Sequence, residues 1–314
     1  MAKTIGVVLS ERVIAGLIID NRIEGDLCFF PANHDDESAL VELHTDGLVK
    51  VICEQVLLAR GDHHDISAIG LALPGLIRNG VVEEAPNLPQ LKGARIAELL
   101  TAELRREGID APVNIVNDAD GIAAGLAATH GKLDTIIRVW TLGIGIGFGR
   151  YPFAEGAWEG GHTVVTLDDK ETFCGCGGRG HIEGIMGHRA MRLRFLDMEP
   201  EEVFAAARQR PAGPETDRCL KFVHLWHKAL AAGIANDIHM SGPGKFYLTG
   251  LHVSFVELPM LKEYLHEMIK MSPLQAYTLE VINDASETRV LGAAVTAEQA
   301  ILYAQRFAPF ATYK

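Results

Sequence analysis

The sequence lacks any apolar run long enough to cross a bilayer, and it lacks the apolar core of a signal peptide near its first residue. Arg, Glu or Asp interrupt its apolar runs well before the roughly 20 residues that a membrane helix needs. It also has no basic cluster, and its formal net charge is -12 at pH 7. These absences argue against membrane insertion and nucleic-acid binding, and they predict a cytoplasmic protein.

Cysteine is scarce, with 5 in 314 residues, and three of the five are scattered along the chain. The other two, Cys174 and Cys176, lie one residue apart in a glycine-rich segment that also contains His162 and His181. Two thiolates and two imidazoles can complete a tetrahedral zinc shell. We therefore predict a zinc ion held by these four side chains. The alternative is two ordinary thiols beside surface histidines.

A zinc ion with four protein ligands has no open position for a catalytic water, so the expected role of this metal is structural. Two carboxylates, Glu159 and Glu183, flank the segment, and His162 has a second ring nitrogen that zinc cannot use. That nitrogen can bind a substrate hydroxyl. A neutral, hydroxyl-rich substrate also suits an acidic chain better than a phosphorylated one.

The length and the 48% hydrophobic content are typical of globular proteins with two domains of about 150 residues each. Apolar runs predict strands over residues 4–9 and 13–19. Apolar spacing predicts helices over 182–196 and over 36–59, the latter with Asp36 as its N-cap. Strands and helices alternate through much of the chain, so the expected fold class is α/β.

A strand predicted over residues 113–116 ends at Asn117 and Asp118, and a short helix is predicted over 119–129. Open α/β sheets usually bind ligands at such strand-to-helix junctions, so Asp118 is a candidate functional carboxylate. The alternative is that Asp118 only caps the helix.

Glycine occupies every second position from Gly143 to Gly149. This spacing differs from the dinucleotide fingerprint, whose glycines join a strand to a helix. The amides of such a turn can approach a phosphate group, and a simple bulged hairpin is the alternative.

These motifs together resemble the ROK family, which comprises sugar kinases and sugar-responsive repressors of the actin-like ATPase fold. Asn117-Asp118 is similar to the family's catalytic Asn-Asp pair, and residues 141–147 are similar to its second phosphate loop. Glu159-Gly-Gly-His162 is similar to its Gly-Glu-x-Gly-His motif.

The most specific likeness is the run Cys174-x-Cys176-Gly-x-x-Gly-His181-x-Glu183. The family has a third cysteine where this chain has His181. Zinc accepts either ligand, so the exchange is compatible with the same metal site.

The resemblance implies two actin-like ATPase (ribonuclease H-like) domains with a cleft between them. We expect an N-terminal domain over residues 1–117 and a C-terminal domain over 118–288 that carries the zinc loop. A final helix over 289–314 is expected to pack back on the first domain. Paired subunits are common in the family, so a homodimer is expected.

The activity implied is ATP-dependent phosphorylation of the primary hydroxyl of a hexose or N-acylated hexosamine. Asp118 would be the base that takes the proton of this hydroxyl. The resemblance implies that the monosaccharide is bound by Asn117, Asp118, Glu159, His162 and Glu183. It implies structural zinc and Mg-ATP as cofactors, with nucleotide contacts from Ser10, Arg12, Gly143, Gly145, Gly147 and Gly250.

The first phosphate loop departs from the family pattern. The family follows strand one with an aspartate, two glycines and a threonine, whereas residues 8–12 here read Val-Leu-Ser-Glu-Arg. Val8 cannot assist magnesium, Glu11 repels phosphate, and Ile144 replaces a threonine of the second loop. Arg12 as a cation and Ser10 as a donor can compensate in part. We therefore expect a slow kinase, and the alternative is a non-catalytic sugar-binding protein on a kinase scaffold.

Overall fold

A computed structural model of the chain describes residues 2–33, 39–85, 87–130, 133, 135–153, 159–209, 213–283 and 285–307. The strands are β1 Lys3–Leu9, β2 Val13–Ile19, β3 Arg22–Phe30, β4 Ala68–Leu73, β5 Leu76–Arg78, β6 Val81–Glu84, β7 Val113–Asn117, β8 Ile137–Leu142, β9 Ile146–Tyr151, β10 Lys245–Thr249 and β11 Thr278–Val281. The helices are α1 Thr45–Arg60, α2 Ile96–Arg106, α3 Asp118–Thr129, α4 Glu183–Met186, α5 His188–Arg194, α6 Pro200–Ala207, α7 Pro214–Ser241, α8 Leu258–Met268 and α9 Ser286–Phe307.

The first compact unit comprises Met1–Ile137, Gly149–Ala157 and Ala285–Lys314. Its main sheet has the strand order β3-β2-β1-β4-β7. Strand β1 is antiparallel to β2 and parallel to β4, and β4 is parallel to β7. Because β1, β4 and β7 are parallel, their carboxyl ends lie at one edge of the sheet. That edge carries the turn after β1, Gly75 after β4, and Asn117 at the end of β7.

Helix α9 lies directly against this sheet. Gly6 of β1 and Gly70 of β4 are partners in the ladder, and a Cβ atom at either position would lie 1.9 or 1.8 Å from a carbonyl oxygen of α9. Helix α3 packs on α9 just as closely, since a Cβ at Gly125 would lie 1.9 Å from the Thr288 oxygen. The first unit therefore includes both helices, and its bounds differ from the predicted division at residue 117.

The second compact unit comprises Arg138–Phe148 and Trp158–Asp284. Its sheet has the order β11-β10-β8-β9, with β10 parallel to β11. The helices of this unit bury a core that includes Trp140, Phe204 and Trp226, each at most 2% exposed. Ile182, Ile185 and Met186, which follow the cysteine pair in the chain, belong to this core.

The strands predicted at 4–9 and 13–19 are confirmed by β1 and β2. The helix predicted over 36–59 begins only at Thr45, because residues 39–43 form turns, and its predicted N-cap Asp36 lies outside the described residues. The helix predicted over 182–196 is two helices, because Gly187 has an extended backbone (φ −65°, ψ 146°) between α4 and α5. None of the described helices is long and apolar enough to span a membrane.

Candidate functional site

The segment from His162 to His181 folds into a tight loop within the second unit. Gly177 and Gly180 have left-handed backbone angles, with φ of 81° and 67°, which glycine adopts at little cost. Val164 and His181 form an isolated antiparallel bridge, so the end of the loop returns to its beginning. This fold brings the rings of His162 and His181 to 5.2 Å between centroids.

Four side chains of this loop form what we call the Cys/His cluster: His162, Cys174, Cys176 and His181. Their ligand atoms all lie within 4.8 Å of one another. The Cys176 Sγ atom is 3.4 Å from Cys174 Sγ and 3.3 Å from His181 Nδ1. Ligand atoms around a tetrahedral zinc ion are about 3.3 to 3.8 Å apart, as follows from bond lengths of about 2.0 to 2.3 Å. The donor set and its spacing therefore fit one zinc-sized divalent ion.

The protonation of the cluster also suits a cation. Burial, with smaller contributions from Cys176 and Glu183, raises the pKa of the Cys174 thiol to about 12. Burial, with the neighbouring His162, lowers the pKa of His181, so this ring is neutral and can be a ligand. A thiol in such surroundings ionises only when a cation compensates its charge.

An ion pair between Glu171 and Arg194 braces the same loop. The Glu171 side chain is buried, and Arg194 Nη1 donates to its Oε1 at 3.1 Å. Arg194 Nη2 also donates to the backbone oxygen of Gly184 at 3.2 Å. The backbone oxygen of Glu171 accepts from the Gly180 amide at 2.8 Å. The sequence did not point to this pair, because neither residue belongs to a motif and only tertiary packing brings them together.

His162 lies between two carboxylates beside the cluster. Its Nδ1 atom is 3.8 Å from Glu159 Oε2, and its Nε2 atom is 3.9 Å from Glu183 Oε1. The side chain of Glu159 is 46% exposed and that of Glu183 is 26% exposed. The predicted sugar-binding residues of the second unit are thus brought together as a group of oxygen acceptors around one imidazole.

In the first unit, Asn117 and Asp118 lie at the carboxyl end of β7. Asn117 is the N-cap of α3, and its Oδ1 accepts from the Ala119 amide at 2.9 Å while its Nδ2 donates to the Gly75 oxygen at 2.9 Å. Asp118 is the first helical residue and is half-buried, with its Oδ1 2.9 Å from the same Ala119 nitrogen. Since Asn117 is the cap, capping alone does not account for a carboxylate at position 118.

A second carboxylate, Asp120, follows within the same helical turn and was not identified from the sequence. It is 6% exposed, and its Oδ1 accepts from the Arg150 amide at 2.9 Å. Burial raises the pKa of Asp120 to about 7, and the charge of Asp118 adds to this effect. The only sequence signal is an acidic residue within a helix that is otherwise rich in alanine and glycine.

We call residues 143–147 the glycine turn. They comprise the link between β8 and β9, which are neighbours in the sheet, and the first two residues of β9. The segment therefore forms the connection of a β-hairpin. The Gly143 amide donates to the Gly145 oxygen at 3.1 Å, and the Gly147 amide donates to Thr141 Oγ1 at 3.1 Å. Gly250 adjoins the turn, since at its φ of 101° a Cβ would lie 2.6 Å from the oxygen of Leu142.

The turn between β1 and β2 contains the other predicted nucleotide contacts. The Ser10 amide donates to the Arg12 oxygen at 3.1 Å, and Glu11 is exposed at the tip. Arg12 Nε and Nη2 donate to the Pro31 oxygen at 2.9 and 2.7 Å, and the guanidinium lies 4.6 Å from the centre of the Phe29 ring. These donors hold the end of β3, which weakens the prediction that Arg12 replaces a phosphate ligand.

The predicted residues thus fall into two sets. Ser10, Arg12, Asn117 and Asp118 belong to the first unit, where all four lie at the same sheet edge. The remaining predicted residues belong to the second unit, where the structure brings together the Cys/His cluster, its flanking carboxylates, the glycine turn and Gly250.

Comparisons with known proteins identify the family and the fold of the chain. A family model described as the ROK family matches residues 39–300. A glucokinase of Pyrobaculum calidifontis is 27% identical over 200 residues, which cover 60% of this chain. The match spans 63% of that glucokinase, which is less than two thirds of its length.

Two solved structures are similar over almost the whole chain. The ROK hexokinase of Thermus thermophilus has a TM-score of 0.73 and 22% identity, covering 96% of this chain and 99% of that one. A ROK family glucokinase of Streptomyces griseus, solved with glucose and AMPPNP, has a TM-score of 0.64 and 21% identity, covering 95% and 100%. These likenesses show the fold, which is the α/β actin-like ATPase fold expected from the motifs. Because the family model covers well over half of the chain, the protein belongs to the ROK family.

Proposed function

We propose that the protein is a ROK-type carbohydrate kinase that phosphorylates the primary hydroxyl of a hexose or N-acylated hexosamine with ATP. The observation that carries this proposal is the position of His162 between Glu159 and Glu183, beside the Cys/His cluster. Ionised carboxylates accept hydroxyl hydrogen bonds, and an imidazole held in one direction adds selectivity. Membership of the ROK family and the likeness to a glucokinase support a sugar as the ligand.

In this proposal Asp118 is the general base. Its carboxylate takes the proton of the primary hydroxyl as that oxygen attacks the γ-phosphorus of ATP, and the bond to the bridging oxygen of ADP breaks. The position of Asp118 at the carboxyl end of a strand supports this role. Asn117, fixed by its bonds to Gly75 and Ala119, is proposed to orient the sugar.

Zinc is proposed at His162, Cys174, Cys176 and His181, because these donors fit its coordination. When bound, zinc holds the ring of His162 in one direction, and the closed ligand set leaves it a structural role. Each described ligand belongs to the second unit, so the metal is expected to stabilise that unit first.

The nucleotide side supports only slow phosphoryl transfer. Val8 is fully buried and offers no oxygen to a magnesium ion, Glu11 brings negative charge to the turn after β1, and Arg12 is bound to Pro31. Three amides of the glycine turn already have acceptors within the protein. The alternative, a sugar-binding protein without phosphoryl transfer, rests on the same residues.

Calorimetric titration with a sugar panel tests the sugar site separately from catalysis. The panel includes glucose, mannose and their N-acetylated amino sugars. For the sugar that binds, Glu159→Gln is expected to lower affinity by about 1.5 to 3 kcal/mol, or at least about tenfold, because it replaces a charged acceptor. The control Glu263→Gln changes an exposed glutamate of α8 and is expected to leave affinity unchanged. Undiminished affinity in both Glu159→Gln and Glu183→Gln would show that the sugar site is elsewhere.

A further inference from the structure

The first residues of the two short helices α4 and α5 both contact the glycine turn. At the first residue of α4, Glu183 Oε2 accepts from the Ile146 amide at 3.1 Å. At the first residue of α5, the His188 amide donates to the oxygens of Gly143 and Ile144 at 3.1 and 3.2 Å. The glycine turn is therefore held by a helix that begins two residues after His181 of the Cys/His cluster.

The second oxygen of the same carboxylate faces the cluster. Glu183 Oε1 lies 3.7 Å from Cys174 Sγ and 3.9 Å from His162 Nε2. Glycines leave the space that this side chain occupies, since a Cβ at Gly145 would lie 2.8 Å from Glu183 Oε2 and one at Gly161 would lie 3.4 Å from it. One carboxylate thus contacts both the cluster and the turn, and no larger residue fits at Gly145 without displacing it.

We propose that Glu183 is a positioning residue that couples the Cys/His cluster to the glycine turn, so that zinc binding to the cluster orders residues 143–147. The inference rests on the zinc site of the proposed function. A bound metal fixes Cys174 and His162, which form one wall of the space around Glu183. A carboxylate confined in this way keeps its bond to Ile146, and the turn keeps its conformation.

The coupling is reciprocal by thermodynamic necessity. If zinc stabilises the ordered turn, a ligand that requires the ordered turn must bind more tightly in the presence of zinc. The cluster would then support the phosphate side of the site as well as the sugar side, although its own ligand set is closed.

Hydrogen exchange measured by mass spectrometry on the intact protein tests this coupling without any assay of catalysis. The reporter is a peptide covering residues 142–150, and the reference is a peptide covering β10 in the same unit. Removing zinc with a chelator is expected to speed exchange of the reporter by about five- to tenfold, as the loss of one hydrogen-bonded contact predicts, and to leave β10 nearly unchanged.

The variants separate Glu183 from the metal itself. Glu183→Ala is expected to exchange rapidly at the reporter with zinc bound, and chelation is expected to add nothing further. Glu183→Gln keeps an oxygen that can accept from Ile146 and is expected to restore most of the protection. The control Glu263→Ala, on the exposed face of α8, is expected to behave like the wild type. Elemental analysis establishes the zinc content of each sample.

The inference is overturned if chelation leaves the reporter unchanged, if it speeds the reporter and β10 equally, or if Glu183→Ala still responds to zinc. If chelation unfolds the protein, Cys176→Ser, which alters the exposed cysteine of the cluster, supplies a zinc-poor folded sample for the same comparison. Sugar binding measured in parallel reports on the proposed function. If the protein binds no sugar but chelation still speeds exchange of the reporter alone, the proposed function is refuted and the coupling is retained.

Discussion

At the scale of single residues, two carboxylates in one helical turn have different environments. Asp118 is half-buried at the sheet edge, whereas Asp120 is 6% exposed and accepts a single described hydrogen bond, from the Arg150 amide. Burial disfavours the ionised form of the Asp120 side chain, so its pKa rises to about 7. Burial therefore distinguishes Asp120, which is enclosed in the packing of α3, from Asp118, which is the proposed base.

The raised pKa of Asp120 makes stability depend on pH. Its pKa is 3.8 in the unfolded chain and about 7 in the folded protein, so the folded state holds this proton more tightly. The contribution is fully present below pH 3.8 and is lost as pH rises towards and past 7. The difference between these two pKa values corresponds to about 4 kcal/mol at most. Asp120→Asn keeps an acceptor for Arg150 and is expected to raise the free energy of unfolding at pH 8 more than at pH 5.

Chemical denaturation at the two pH values measures this effect. The matched control Asp62→Asn alters an exposed aspartate and is expected to change stability equally at both. A loss of stability at pH 8 in Asp120→Asn would mean that the ionised carboxylate is favourable in the folded protein and that burial does not dominate.

Single residues differ in how well the sequence reveals them. Cys174 and Cys176 were recognisable because thiols one residue apart are rare in a chain with so few cysteines. Asp120, Glu171 and Arg194 were not, because their burial and pairing depend on segments distant in the chain. A sequence motif preserves chemistry, but it does not record which polar side chains tertiary packing encloses.

At the scale of elements, buried strands were the most predictable part of the fold. Continuous apolar runs gave β1 and β2 their correct positions, because strands covered on both faces have few polar residues. Helix breaks were harder to predict. Apolar spacing continues through Gly187, but this residue has an extended backbone that ends α4 before α5 begins. Helix α6 was missed, although Glu199 and Glu202 form its capping box.

The Cys/His cluster is expected to bind one zinc ion per chain. The double substitution Cys174→Ala, Cys176→Ala removes two of four ligands and is expected to abolish stoichiometric zinc in elemental analysis, with lower thermal stability. The control Cys53→Ala alters a buried cysteine of α1 outside the cluster and is expected to retain the metal. Zinc retained undiminished in the double variant would refute the site.

The β1–β2 turn is expected to limit the rate. Restoring the family pattern with Val8→Asp, Ser10→Gly, Glu11→Gly, Arg12→Thr and Ile144→Thr is expected to raise sugar phosphorylation at least about tenfold, because preorganised donors return to the phosphate site. Val8 is fully buried, so circular dichroism must accompany the assay. A folded variant whose rate of sugar phosphorylation does not rise would show that residues other than these five limit the rate. Adding Asp118→Asn is expected to abolish the gain.

At the scale of the whole molecule, the chain consists of two compact α/β units, each with its own sheet and core. Hydrophobic pattern and family resemblance together were sufficient to predict this fold class. The division of the units differs from the predicted one at residue 117, because α3 packs closely on α9 within the first unit. A homodimer remains a prediction, and sedimentation equilibrium of the intact protein measures it directly.

The central claim is a ROK-type sugar kinase with an intact sugar side and a weakened nucleotide side. The most direct test is the rate of sugar-phosphate formation from ATP and magnesium by the wild type and by Asp118→Asn, with the sugar identified by calorimetry. We predict measurable turnover in the wild type well below about 1 per second, the lower end of the range usual for kinases, and none in Asp118→Asn. Wild-type turnover of about 1 to 100 per second, or turnover that survives Asp118→Asn, would contradict the account.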